Sequence, residues 1–196
     1  MINSKPGIIL ASSSIYRREL LQRLHIDFDT CSPDVDESRK PEESPIQLVQ
    51  RLSKEKAQVV ASKNRNSIII GSDQVAAIGD EILGKPGTVE NAIYQLKMLS
   101  EKIVIFHTGL TIIDTRNQIV QTDDIQTKVT FRKLDDSLIQ RYLEKEPALN
   151  CAGTFKSEGL GITLVKSIEQ DDPTALIGLP LIRLTEMLDY AGYKII

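Results

Sequence analysis

Cysteine and histidine are scarce in this chain, two of each among 196 residues. Cys31 and Cys151 lie far apart, and neither has a second cysteine or a histidine at metal-ligand spacing. A zinc ribbon and a disulfide scaffold are therefore not expected, and a reducing compartment fits. His25 and His107 fall in no triad or zinc pattern. Long apolar runs are missing as well. No window approaches the roughly 18 residues that a membrane span needs, and the segment from Met1 to Gly7 has one lysine but no apolar core for a signal peptide. A cytoplasmic protein is expected. No tract is polar and biased enough for a disordered tail, and there is no internal repeat. An excess of one charge is absent too: the net charge is -3 and the pI is near 5.5, so nothing favours a nucleic acid as partner. A small anionic ligand needs only a local basic pocket. Neither a Walker-type phosphate loop nor a GxGxxG turn occurs.

What is present is an ordinary globular chain with 41% hydrophobic residues, enough for a single domain over residues 1–196. Gly7 to Ala11 reads as a buried strand feeding a helix that carries Leu20, Leu21 and Leu24, with Ser12, Ser13 and Ser14 at the junction. The unpaired amides of such a helix start attract anions. His25 to Ser32 reads as a strand and Pro33 to Glu43 as an acidic loop. Ser44, Pro45 and Gln47 form a capping box with proline at the first helical position, and the helix they open should end near Asn64. Ile68, Ile69 and Ile70 then make a central strand that stops at Gly71-Ser72-Asp73-Gln74. A hairpin turning at Gly79-Asp80, a turn at Gly84 to Gly87 and a helix from Thr88 to Leu99 follow. Ile103 to Ile113 and Gln118 to Phe131 look like an antiparallel pair. A helix from Asp135 to Glu144, a less regular glycine-rich segment and a helix from Pro180 to about Tyr190 complete the chain. The order is that of an α/β fold.

Three placements stand out. Lys56 falls inside the apolar stripe of Val49, Leu52, Val59 and Val60 at 100° per residue. It is either a snorkelling side chain at the stripe's edge or a cation reaching into a cleft that holds phosphate. Asp73 follows an isoleucine run at what reads as the carboxyl end of a strand, where open α/β sheets place ligands; capping a turn is the other reading. Arg17 and Arg18 sit one turn into the first helix, where a cation opposes the macrodipole. They are either surface residues or, with the serines, a phosphate clamp. From physics alone the chain reads as an α/β domain that binds a phosphorylated small molecule.

Taken in order, LASSSIYRRELL, PDVDES, KEKA, GSDQV, GKP and CAGTFKSEGLG resemble the Maf family of nucleotide pyrophosphatases, from about Gly7 to Gly192. GSDQ and FKSEG look most like the branch acting on 7-methyl-GTP, rather than the branch acting on dTTP and UTP. One departure is plain: Ile15 and Tyr16 stand where the first branch commonly has proline and tryptophan. The resemblance implies a Maf/ITPase-like fold, a twisted mixed sheet flanked by helices with a cleft between two lobes. It implies cleavage of a nucleoside triphosphate to the monophosphate and pyrophosphate, which removes modified nucleotides from the pool.

Carried over by motif, Ser12, Arg17, Lys56 and Lys85 look like the phosphate-binding set, and Glu37 and Asp73 like the acidic set. A solvated carboxylate is a weak base at neutral pH and general-base catalysis contributes only about 10² to 10⁴-fold, so Asp73 as proton acceptor needs a divalent cation, Mg²⁺ or Mn²⁺, beside Glu37 and Asp73. Tyr16 offers an aromatic face to a positively charged base, or is core. Glu158 offers a carboxylate to the donor edge of guanine, or caps a loop. Gln74 adds to selectivity. The resemblance also suggests a homodimer. Two other readings remain, a dTTP or UTP pyrophosphatase and a nucleotide-binding regulator of cell division without turnover.

Overall fold

The computed structural model describes residues 6–196, so most of the amino-terminal segment from Met1 to Gly7, residues 1–5, lies outside the described residues. Strand β1 (Gly7–Ala11), helix α1 (Ile15–Gln22), strand β2 (Phe28–Thr30), helix α2 (Pro45–Ala61) and strand β3 (Ser67–Ile78) form the first half. Strand β4 (Glu81–Leu83), helix α3 (Val89–Leu99), strands β5 (Ile103–Asp114) and β6 (Ile119–Phe131), helix α4 (Asp136–Lys145), strand β7 (Val165–Gln170) and helix α5 (Leu181–Tyr190) follow, with short 3₁₀ turns between α4 and β7 and before α5. The seven strands make one mixed sheet in the order β2-β1-β3-β5-β6-β7, with β4 paired to β3. Strand β1 runs parallel to β2 and β3. Strand β4 is antiparallel to β3, and β7 to β6. No described helix is long and apolar enough to cross a membrane.

Local chemistry explains most of these boundaries. Ser14 caps α1 by accepting from the Arg17 amide, and Ser44 caps α2 in a full capping box with Gln47. Thr88 and Asp135 cap α3 and α4 in the same way. Helix α5 has no side-chain cap of its own. The buried Asp172 reaches its first turn instead, accepting from the amides of Ile182 at 2.8 Å and Arg183 at 3.3 Å.

Two expectations are corrected. The second strand is three residues long instead of spanning His25 to Ser32, because His25 sits at a φ of 51° in the turn that leaves α1. Strand β3 does not stop at Gly71-Ser72-Asp73 but continues to Ile78. It is β1 that ends there: Ala11, its last residue, pairs with Gly71. Asp73 therefore lies just beyond the carboxyl end of β1 while remaining in mid-strand on β3. The hairpin at Gly79-Asp80 occurs as expected, with Gly79 at a φ of 58°.

The chain folds into two compact units. One contains the described residues through Asp73 with Thr108–Ile125 and Asp172–Ile196, and the other Gln74–His107 with Gln126–Asp171. In the first, Ile8, Leu10, Ile68, Ile70, Leu110 and Ile112 pack one sheet face against Leu20 and Leu21 of α1 and Leu184, Met187 and Leu188 of α5. Ile9, Ala11, Ile69 and Ile113 pack the other face against Ala57 and Val60 of α2. Strands covered on both sides need unbroken apolar runs, which is why GIILA and SIII show no alternation. The second unit gathers Phe106, Phe131 and Phe155, with ring centroids 5.2–5.5 Å from Phe155.

Candidate functional site

The site in the first unit is built where β1 ends. Helix α2 approaches β3 closely because Gly71 has no side chain; a Cβ there would overlap the Ser53 carbonyl oxygen and crowd Ala57. Gly109 on β5 makes the same allowance for Val49 of α2. That approach brings Lys56, buried on the inner face of α2, to Asp73 on β3. The ammonium donates to Asp73 Oδ1 at 2.6 Å. Glu37, from the acidic loop, reaches the same nitrogen, also at 2.6 Å. Lys56 thus lies in the buried stripe, as its spacing predicts, with its charge compensated twice over. Asp73 is almost fully buried and Glu37 is about half exposed, at 54% of its side chain.

Arg17 comes to the same region from α1. Its Nε donates to the Gly178 carbonyl at 2.9 Å, and the Ser72 hydroxyl donates to that oxygen at 2.8 Å. Burial pulls the Arg17 guanidinium below its ordinary value, and the negative charges of Asp73 and Glu37 act against that shift. Ser12 is buried at the end of β1, where its hydroxyl accepts from the Ser14 amide at 3.1 Å. Tyr16 is half-buried on α1 and Arg18 is exposed. Ser12, Tyr16, Arg17, Glu37, Lys56 and Asp73 all belong to the first unit, and within it Lys56, Asp73 and Glu37 form one ionic cluster with Arg17 in its field.

Gln74, Lys85 and Glu158 belong to the second unit. Gln74 is half-buried on β3, and Lys85 is exposed in the turn between β4 and α3. That turn is fastened from below: the Gly84 carbonyl accepts from Gln95 Nε2 at 3.1 Å and from the Gly153 amide at 3.1 Å. Glu158 is exposed and accepts from the Ser157 hydroxyl at 3.3 Å. In the same unit burial pushes the Cys151 thiol up to about 11, so it is protonated at neutral pH and is no nucleophile.

Ser72 and Gly178 escaped the sequence reading. Ser72 reads as part of a turn, and Gly178 carried no motif although it holds a φ of 119°, a region that L side chains rarely adopt. The Arg51 clamp also escaped it. From α2, Arg51 grips Glu43 through Nε at 2.6 Å and the Ser38 carbonyl at 2.9 Å, which ties down the loop that carries Glu37.

A sequence model described as Maf-like protein matches residues 7–191. The chain belongs to the Maf family. Among relatives, a Nitrosococcus oceani protein named 7-methyl-GTP pyrophosphatase is 50% identical over 191 residues, 97% of this chain and 96% of that protein. Proteins of the same name from Aromatoleum aromaticum and Pseudomonas aeruginosa are each 50% identical, covering 94% and 97% of this chain and 95% and 99% of their own lengths. Across this Maf chain, no three of histidine, cysteine, aspartate and glutamate gather as a metal cage among the described residues. Magnesium does not require one, since it usually takes one or two carboxylates and completes its shell with substrate phosphate and water. Asp73 and Glu37 already converge on one cation, the Lys56 ammonium. The donor set fits a metal that binds together with its nucleotide.

Proposed function

We propose that this chain hydrolyses a nucleoside triphosphate, 7-methyl-GTP in preference, to the nucleoside monophosphate and pyrophosphate. The observation that carries this reading is the buried Lys56 ammonium held between Asp73 and Glu37, with Arg17 beside them, at the end of a parallel strand. Acid and base are placed together where open α/β sheets bind ligands. Membership of the Maf family and the relatives named 7-methyl-GTP pyrophosphatase support the substrate.

In this reaction water attacks the α-phosphorus, the bond to the bridging oxygen breaks, and pyrophosphate leaves. Asp73 accepts the proton of the attacking water. An ammonium has three donors; Lys56 donates to Asp73 and is ion-paired with Glu37, which leaves it donor capacity for a phosphate oxygen. Arg17 and the Ser12 hydroxyl add donors where charge develops. Lys85 joins this set on the family pattern. Glu37 and Asp73 would hold the divalent cation, Mg²⁺ or Mn²⁺. Bound there, it supplies neutralisation of the triphosphate and a more acidic water. For the base, Tyr16 presents an aromatic face to the cationic methylated ring, Glu158 accepts from the donor edge of guanine, and Gln74 contributes to selectivity.

A panel of nucleoside triphosphates incubated with Mg²⁺ and assayed for pyrophosphate tests the proposal. The expected result is the highest kcat/KM for 7-methyl-GTP; binding without turnover across the panel would sink it. A second reading keeps the reaction and replaces the substrate by dTTP or UTP. Its support is Tyr16, a weaker cation-binding face than the tryptophan usual in the 7-methyl-GTP branch, and the same panel decides it.

A further inference from the structure

Glu146 closes helix α4 and lies outside every motif on which the family resemblance rests. Its carboxylate pairs with Lys156 Nζ at 2.7 Å and accepts a hydrogen bond from the Leu160 amide. These two partners bracket Glu158 in the chain. Between them the backbone turns tightly, with the amides of Gly159 and Gly161 donating to the Lys156 carbonyl at 3.2 and 3.1 Å. The two glycines are needed for different reasons. A Cβ on Gly161 would overlap the Lys156 carbonyl oxygen, whereas a Cβ on Gly159 would overlap the Glu146 carboxylate itself.

The loop is gripped from α4 a second time. The Tyr142 hydroxyl donates to the Thr154 carbonyl at 3.2 Å and accepts from the Lys156 amide at 3.3 Å. Glu158, in contrast, is exposed. Its direction is therefore set by the backbone of residues 156–160 more than by packing of its own side chain. Partial burial raises the Glu146 carboxyl, but the bonds from Lys156 and Leu160 outweigh burial and hold it below the usual range, so the clasp remains charged.

We infer that Glu146 is a positioning residue for substrate choice: by clasping Lys156 and Leu160 it fixes the loop that presents Glu158. The inference rests on the base-reading role proposed above for Glu158. An exposed carboxylate on a loose loop would lose the orientation that two hydrogen bonds to one base edge require.

The test compares kcat/KM for 7-methyl-GTP with that for UTP in Glu146→Gln, Gly159→Ala, Glu158→Ala and the double variant Glu146→Gln/Glu158→Ala. Gly159→Ala is the safeguard, because the added methyl meets first the end of a flexible side chain and expels the clasp without altering Glu146; an unchanged far-UV circular dichroism spectrum at the assay temperature verifies the fold. The ratio is expected to fall about tenfold in Glu146→Gln and in Gly159→Ala, mainly through KM for 7-methyl-GTP. On the Glu158→Ala background, Glu146→Gln should change the ratio by less than about twofold, because both act through one contact. If Glu158→Ala lowers the ratio while both clasp variants leave it in place, the positioning role alone is overturned. Equal losses for both substrates in the clasp variants overturn it as well. If Glu158→Ala leaves the ratio unchanged, the base-reading role fails and the inference fails with it.

Discussion

The Lys56 ammonium holds two carboxylates that would repel each other without it, and the two do not contribute equally to the fold. Asp73 is buried, with 10% of its side chain exposed, whereas Glu37 is half in solvent. Asp73→Asn keeps an oxygen to accept from Lys56 and leaves the Glu37 pair intact. It should therefore lower kcat by at least about 10²-fold, because the proton acceptor and one carboxylate for the cation are neutralised together. It should lower the urea midpoint by less than Lys56→Met does, because the hydrogen bond to Lys56 is kept. Lys56→Met is expected to do the reverse damage first. It strands Asp73 as an unpaired charge, and removing one partner of a buried pair costs about 3–5 kcal/mol, with the half-exposed Glu37 placing this case near the lower end. Urea unfolding of the two variants separates these outcomes. If Lys56→Met were as stable as the parent, the ionic cluster would not be buried in the way described.

At the scale of elements, the distance between α2 and β3 decides whether Lys56 meets Asp73, and Gly71 sets that distance. Gly71→Ala places a methyl against the backbone oxygen of Ser53, which cannot swing aside as a side chain would. A loss of about 1–3 kcal/mol is expected, with a fall in kcat/KM as Lys56 is drawn from Asp73. Gly7→Ala on β1 is the control, since its nearest neighbour is the Ser67 hydroxyl at 3.6 Å, an ordinary contact. Thermal unfolding and turnover of both variants check this, and equal behaviour would show that the close approach is not required. Helix α2 was legible in the sequence because its start is written in local chemistry, a serine cap, a proline and a returning glutamine. The inward Lys56 was legible from the same helix's periodicity. The run from Gly71 to Asp73 misled because glycine, serine and aspartate favour turns locally, while the pairing that keeps β3 extended comes from distant segments. Strand β7 escaped for the same reason: VKSIEQ is largely exposed and owes its conformation to its register with β6. Arg51 with Glu43 and Glu146 with Lys156 join a helix to a loop, so nothing in their own neighbourhood announces them.

For the molecule as a whole, the ionised carboxylates set how folding responds to acid. Two hydrogen bonds from Arg51, at 2.6 and 2.9 Å, bring the Glu43 carboxyl down from 4.5 to about 2, against the opposing influence of its burial. At Asp114, fully buried on its side chain, burial acts upward but the bonds from Arg116 and Asn117 prevail and hold it below the usual range. Glu146 is held low in the same manner. A carboxyl whose folded value lies below its unfolded value adds stability that is complete above the unfolded value and is lost as pH falls toward the folded one. The free energy of unfolding should therefore be level above about pH 5 and decline as pH drops through 4.5 toward 2, with Glu43 contributing on the order of 2–3 kcal/mol of the decline. Glu43→Gln removes a titrating group and its charged bonds together. The variant should be less stable than the parent at pH 7, yet its stability should fall less steeply between pH 5 and pH 3. Urea titrations at those three pH values measure both quantities, and parallel curves for parent and variant would mean that the Arg51 clamp does not govern the acid response.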